Sequence, residues 1–331
     1  MPEALKNIEL AGDDAIVPFQ VDPLDVRGRA VQLGSLLDDV LGRHTYPEAV
    51  SKLLAEAIVL TSLLGSSMKF DGRFILQTQS EGPVSLLVVD FKTPHQIRAY
   101  ARYEEADVIS MSREEGFKPY DLLGKGILVM TVDQGQHMER YQGIVQLSEG
   151  GFEAVAEEYF KQSEQIPTVV RLAVAESLTH DRDADKGEEA KHGWRAGGML
   201  AQFLPHSIER MKQADLSGGE APEGADVPEV EVDDAWLEAT ALIGTIEPVE
   251  LIDPNVPVER LLLRLFNEHG ATVYPATAME AKCSCSQAGI KDVLAGFTAE
   301  ELAQSTEDGK ISVNCEFCST SYEFDPADFQ N

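Results

Sequence analysis

From Leu36 onward the chain alternates stretches whose apolar residues recur at helical spacing with short runs rich in branched and aromatic residues. Thr45-Tyr46-Pro47-Glu48 has the form of a helix start, with proline in the first turn. The apolar periodicity behind it predicts a helix to about Leu64, before Gly65 and two serines. Three runs, 73–79, 84–91 and 96–102, read as strands. Glu81-Gly82-Pro83 and Thr93-Pro94 separate them as turns, which predicts an antiparallel meander. Two more strands, 126–132 and 140–147, flank the polar turn at Asp133-Gln134-Gly135. Residues 151–164 place Phe152, Val155, Ala156, Tyr159 and Phe160 at helical spacing, and 169–174 reads as a last strand before a highly charged loop over 179–191.

Beyond the segment 194–205 the pattern changes. Between Lys212 and Arg260 there is no basic residue, against 13 acidic ones. Its first half, 218–228, is rich in glycine, proline and acid and is expected to be disordered. The second half carries Trp236, Leu237, Leu242, Ile243, Ile246, Val249, Leu251 and Ile252, too apolar for a solvated linker, so it is expected to pack on a neighbouring domain. Val258, Leu261, Leu262, Leu265 and Phe266 then follow i, i+3, i+4, i+7, i+8 spacing, an amphipathic helix stopped near Gly270. No internal repeat is visible.

At 331 residues with 43% apolar content, two globular domains are expected. Strands grouped first and then joined to helices indicate an α+β fold, not a doubly wound one. The formal charge of −30 weighs against nucleic acid, whose affinity comes largely from counterion release by Lys and Arg. Solubility, or a salty native environment, is the plain account of the acidity. The most apolar stretch, 53–68, is interrupted by Glu56 and preceded by Lys52, so it reads as a buried helix rather than a membrane span. Met1-Pro2-Glu3-Ala4-Leu5 shows no basic region leading into an apolar run, so export is not expected and a cytoplasmic location is.

All four cysteines fall near the C-terminus, as Cys283-Ser284-Cys285 and Cys315-Glu316-Phe317-Cys318, with 29 residues between the pairs. Two close pairs, each on a short turn and joined by a returning chain, can bring four sulfurs to one tetrahedral centre, the geometry of an all-cysteine zinc site. In a reducing cytosol such a cluster points to metal binding or redox sensing, not structural disulfides. From about residue 276 onward large apolar residues are few, so metal is expected to supply much of the module's folding free energy, on the order of 10–16 kcal/mol in small zinc domains. Zinc is redox-inert, but its thiolates can be oxidised, and both the CxC and the CxxC spacing allow a disulfide. A permanent zinc scaffold and a redox switch are both compatible with these residues.

The CxC then CxxC order resembles the redox-regulated chaperones called heat shock protein 33, the 33-kDa chaperonin family. The resemblance covers almost the whole chain. It extends through Tyr46-Pro47, Leu64, Lys69-Phe70-Asp71-Gly72, Gly82-Pro83, Glu139-Arg140-Tyr141-Gln142-Gly143, the run from Tyr159 to Thr168, Ala196-Gly197-Gly198-Met199-Leu200, and Leu261 to Cys285 with Val273-Tyr274. It implies a holding chaperone, not an enzyme, that binds unfolding or aggregation-prone client proteins without ATP. Reduced, one Zn2+ on Cys283, Cys285, Cys315 and Cys318 would keep the terminal module folded and the linker docked. Oxidised, the family pattern would join Cys283 to Cys285 and Cys315 to Cys318, release zinc, undock the linker and expose a client-binding surface, commonly in a homodimer.

The domains implied are a mainly antiparallel N-terminal chaperone core over 1–207 with packed helices, an acidic, metastable, partly helical linker over 208–275, and a small zinc-binding redox-switch domain over 276–331. Two stretches look longer than the family's usual pattern, the acidic segment 215–234 and the loop 179–191. Enzyme readings find little: the seven histidines are scattered without HExxH, there is no GxSxG, and Gly124-Lys125-Gly126 reads as a turn. A thioredoxin-like role for Cys315-Glu316-Phe317-Cys318 lacks the βαβ context.

Overall fold

The computed structural model describes residues 10–135, 140–179, 191–204 and 233–329. The chain opens with a hairpin, β1 (Ala15–Val21) and β2 (Val26–Leu33), followed by helices α1 (Ser35–Leu41) and α2 (Glu48–Ser67). The expected meander follows as β3 (Arg73–Ser80), β4 (Val84–Lys92) and β5 (Gln96–Tyr103). After α3 (Glu105–Met111) come β6 (Gly126–Asp133) and β7 (Tyr141–Gln146). Helix α4 (Gly151–Tyr159) passes into a wider π turn over Phe160–Glu164, so the helix expected over 151–164 changes hydrogen-bonding register near its end; Gln165 then leaves it with φ +55°. Two long strands, β8 (Thr168–Thr179) and β9 (Lys191–Phe203), complete the core. The charged loop and the acidic segment before residue 233 lie, but for their ends, outside the described residues, as does Glu139.

The linker's described part forms α5 (Asp234–Gly244), α6 (Pro248–Ile252) and α7 (Val258–Leu265). Three two-residue strands follow, β10 (Thr272–Val273), β11 (Thr277–Ala278) and β12 (Glu280–Ala281). Last come α8 (Gln287–Leu294), α9 (Ala299–Gln304), β13 (Thr306–Glu307), β14 (Lys310–Asn314) and β15 (Ser321–Phe324).

These strands make three sheets. The first runs β10-β1-β2-β9-β8, with β11 also on β1, and is antiparallel throughout. The second runs β12-β5-β4-β3-β6-β7, antiparallel but for the parallel β12–β5 edge. The third is the small β13-β14-β15 sheet of the cysteine module. This is the α+β architecture that the sequence predicts, with antiparallel sheets, a helical linker and clustered C-terminal cysteines.

Helix α2 has the length and apolar composition of a membrane span, but 78% of its most apolar window is buried inside the fold. It is apolar nearly all round because it is covered nearly all round: its side chains cluster with Val31 and Leu33 of the first sheet and with Phe74, Leu76, Val89 and Phe91 of the second. The first sheet is therefore buried on both faces. One face meets α2; the other presents Val17, Phe19, Val21, Ala30, Met199 and Ala201 to the linker helices. Alternation along β1 and β2 divides the side chains between the two cores.

The linker packs as its composition predicts, with Trp236, Ile243, Ile246 and Leu251 buried, although Leu237 and Val249 face solvent at 51% and 55% exposure. Every member of the amphipathic set Val258, Leu261, Leu262, Leu265 and Phe266 is buried. At Gly197 of β9 a Cβ would come to 2.0 Å from the Leu251 carbonyl oxygen, so the linker backbone rests where only glycine leaves room.

Candidate metal centre

Strand β12 delivers the first cysteine pair. Its Glu280 N–H donates to the His95 carbonyl, and just past it the Lys282 N–H donates to that of Ile97, which sets Cys283 beside the start of β5. The second pair sits on the turn between β14 and β15. There the Ser319 N–H donates to the Cys315 carbonyl at 2.8 Å, the Cys315 N–H to the Thr320 carbonyl at 2.9 Å, and Ser319 takes φ +55°. Such a tight turn folds the chain around one sulfur and returns it with the next.

All four predicted residues come together. Their Sγ atoms lie within 4.8 Å of one another, and all four thiols are free. The closest sulfur pairs run between the two turns, Cys283 to Cys315 at 3.7 Å and Cys285 to Cys318 at 3.4 Å. Sulfurs bound at about 2.3 Å to one tetrahedral ion would be separated by roughly 3.8 Å, so the cluster has the dimensions of a four-thiolate metal site. A donor set of sulfur alone favours a soft or borderline ion over magnesium or calcium.

Without an ion the thiols compete for charge. Burial pushes Cys285 up to about 12, and it raises Cys315 as well; neighbouring sulfurs add to both shifts. Desolvation acts in the same sense on Cys318, but hydrogen bonding with Thr320, Cys285 and Cys315 outweighs it and brings that thiol down to about 6. The Tyr322 hydroxyl lies 3.2 Å from Cys285 Sγ. A divalent cation removes this competition, because it stabilises all four thiolates at once.

The module itself buries little: Leu294, Leu302, Ile311 and Phe324 form its core. Its cysteine turns instead rest on a polar face of the second sheet. Arg98 donates to Cys283 Sγ at 3.8 Å and lies 4.0 Å from the Phe317 ring centroid; Tyr100 meets the same ring edge-on at 4.8 Å. Arg73 donates to Ser284 Oγ at 3.1 Å, Arg102 to Glu316 at 2.8 Å and Arg43 to the Ala281 carbonyl at 3.1 Å. Ser319 donates to the Arg43 carbonyl at 2.9 Å, beside a His44 whose pKa burial lowers.

Sequence reasoning had singled out none of these arginines. A signal was present: Ile97, Ala99 and Ala101 alternate as buried residues on β5, which puts Arg98, Tyr100 and Arg102 together on its opposite face in a strongly acidic chain.

Comparison with known proteins gives a consistent result. A family model described as Hsp33 protein matches residues 14–325. The 33 kDa chaperonin of Caulobacter vibrioides is 44% identical over 318 residues, covering 95% of each chain. That of Pseudomonas fluorescens is 34% identical, covering 97% of this chain and 93% of its own. The crystal structure of the 33 kDa chaperonin from Thermotoga maritima superposes with a TM-score of 0.71 over 96% of each chain; at 20% identity it speaks to the fold alone.

Proposed function

The chain belongs to the Hsp33 family, and from that premise we propose that it is an ATP-independent holding chaperone switched on by oxidation. The observation that carries the reading is the convergence of four thiols in a module with a small core, reached through a linker that covers an apolar sheet face. The family's name, chaperonin, is not an enzyme class. Its clients are unfolding proteins, which a newly bared apolar face would bind.

In this reading Cys283, Cys285, Cys315 and Cys318 hold one Zn2+ in the reduced state, which supplies the charge that keeps four thiolates together. The core 1–207, the linker 208–275 and the switch domain 276–331 act as three units. Hydrogen peroxide takes two electrons from each pair of thiolates and two protons, and leaves as two waters while one disulfide forms. Disulfides Cys283–Cys285 and Cys315–Cys318 leave no thiolate to bind metal. The module then loses its fold and its seat on β5, the short strands β10 to β12 are pulled at one end, and the linker comes away from the first sheet. The active form is a homodimer, and the site of action is the cytoplasm.

The test measures metal content, thiol number and client aggregation in one preparation. The reduced protein is expected to hold one zinc and leave a denaturing client unprotected. Peroxide with mild heat is expected to remove the zinc and turn protection on. Equal protection in both states, or zinc retained after all four thiols are oxidised, would sink the proposal.

A further inference from the structure

We propose that Arg98 is a positioning residue of the metal centre, through which the second sheet stabilises the bound thiolates and restrains their oxidation; the inference rests on the metal reading above. Its side chain is 17% exposed and is held from behind by Asp90, which is 4% exposed. One carboxylate oxygen, Asp90 Oδ2, accepts from Arg98 Nε at 2.8 Å and from Arg73 Nη1 at 2.5 Å, and lies 2.6 Å from Arg98 Nη2 in the same ion pair. Two guanidinium groups share one buried carboxylate, so this polar cluster carries a surplus positive charge. Each arginine also donates to the first cysteine turn, Arg98 to Cys283 Sγ and Arg73 to Ser284 Oγ.

Arg98 also meets the second turn. Phe317, between Cys315 and Cys318, lies on the guanidinium at 4.0 Å. One side chain thus touches both halves of the cysteine site, from a strand far away in sequence.

Four thiolates on a divalent ion form a dianionic centre. A guanidinium donating to one of those sulfurs neutralises part of that charge and fixes the sulfur's orientation, as outer-shell partners of metal ligands do. Engaging a sulfur lone pair also lowers its nucleophilicity, so the docked sheet slows attack of Cys283 on an oxidant. A disulfide sulfur has no negative charge to offer in return. The same contact that steadies the reduced centre is therefore lost on oxidation, which couples thiol chemistry to release of the module from β5.

The experiment uses the full-length reduced protein and three variants, Arg98→Ala, Arg98→Lys and, as a distant control, Lys52→Ala at the half-buried, Glu48-paired position near the start of α2. Zinc affinity is measured by competition with a chromophoric chelator, and the sulfur-to-metal charge-transfer band is recorded after loading with Co2+. Arg98→Ala is expected to weaken zinc binding by about 10–100-fold. It is also expected to move the charge-transfer band to lower energy and to speed peroxide-driven zinc loss several-fold. Arg98→Lys, which keeps a charge but not the fork that reaches both Asp90 and sulfur, is expected to fall between wild type and alanine. Lys52→Ala is expected to match wild type.

Unchanged affinity and an unchanged band in Arg98→Ala would overturn the inference. If Arg98→Ala does not fold, wild-type values in Arg98→Lys overturn it equally. A wild-type protein that binds no metal would instead defeat the metal reading itself, so the two failures are distinguishable.

Discussion

Helices α5–α7 bury Trp236, Ile243, Leu251, Leu261, Leu262, Leu265 and Phe266 against the first sheet, whereas the module after residue 282 has a buried core of Leu294, Leu302, Ile311 and Phe324. The linker is therefore held by apolar area, which an oxidant cannot alter. The cysteine module instead has four clustered sulfurs, the atoms an oxidant attacks, and a handful of polar contacts to β5. In the proposed switch, chemistry would thus be sensed where packing is thin, and the apolar surface to be released would lie where packing is thick. The short strands β10, β11 and β12 join the two, because they pair with β1 of one sheet and β5 of the other.

The largest expected effect would come from chelating the metal from the reduced protein. The module is expected to lose a stabilisation on the order of 10–16 kcal/mol and to become protease-sensitive beyond residue 282, while α2 and its two sheets stay protected. Hydrogen exchange and limited proteolysis read both outcomes; loss of the sheets together with the module would break the contrast.

Next, Phe266→Ala removes a fully buried ring that lies 6.1 Å from Phe19. It is expected to destabilise linker docking by about 3–5 kcal/mol while zinc content stays at one. Client protection in the reduced state would then appear without oxidation.

Gly197→Ala should act in the same direction with a smaller effect. The added methyl group meets the Leu251 carbonyl, so α6 must shift, at about 1–3 kcal/mol, with faster exchange of the 249–252 amides. The smallest effect is expected for Arg102→Ala. Its contact with Glu316 is exposed on both sides, so melting temperature and zinc content should stay within experimental scatter.

Much of this was legible along the chain. Strands β3 to β6 appear because each is a short run of branched and aromatic residues between turn residues, a purely local signal. Strands β1 and β9 do not announce themselves. Pro18 interrupts β1, but its carbonyl accepts from the Tyr274 N–H just past β10, so its missing donor faces that side and costs no bond to β2. Gly193, Gly197 and Gly198 make β9 read as loop. At Gly198 a Cβ would come to 2.6 Å from Val59 of α2, and Gly197 is filled by the linker, so two of these glycines answer to neighbours that sequence alone does not reveal.

The sequence by itself determined the four candidate ligands and the amphipathic helix Val258–Leu265. Sulfur chemistry is a property of the residue, and a helical face is a property of spacing within a few turns. Tertiary structure alone decided that the linker would cover the outer face of the first sheet, and that Arg98 would point at Cys283, 185 residues away. Both are pairings across long separations, chosen by which surfaces meet when the strands pair and the linker helices pack down, and no local period along the chain encodes that choice.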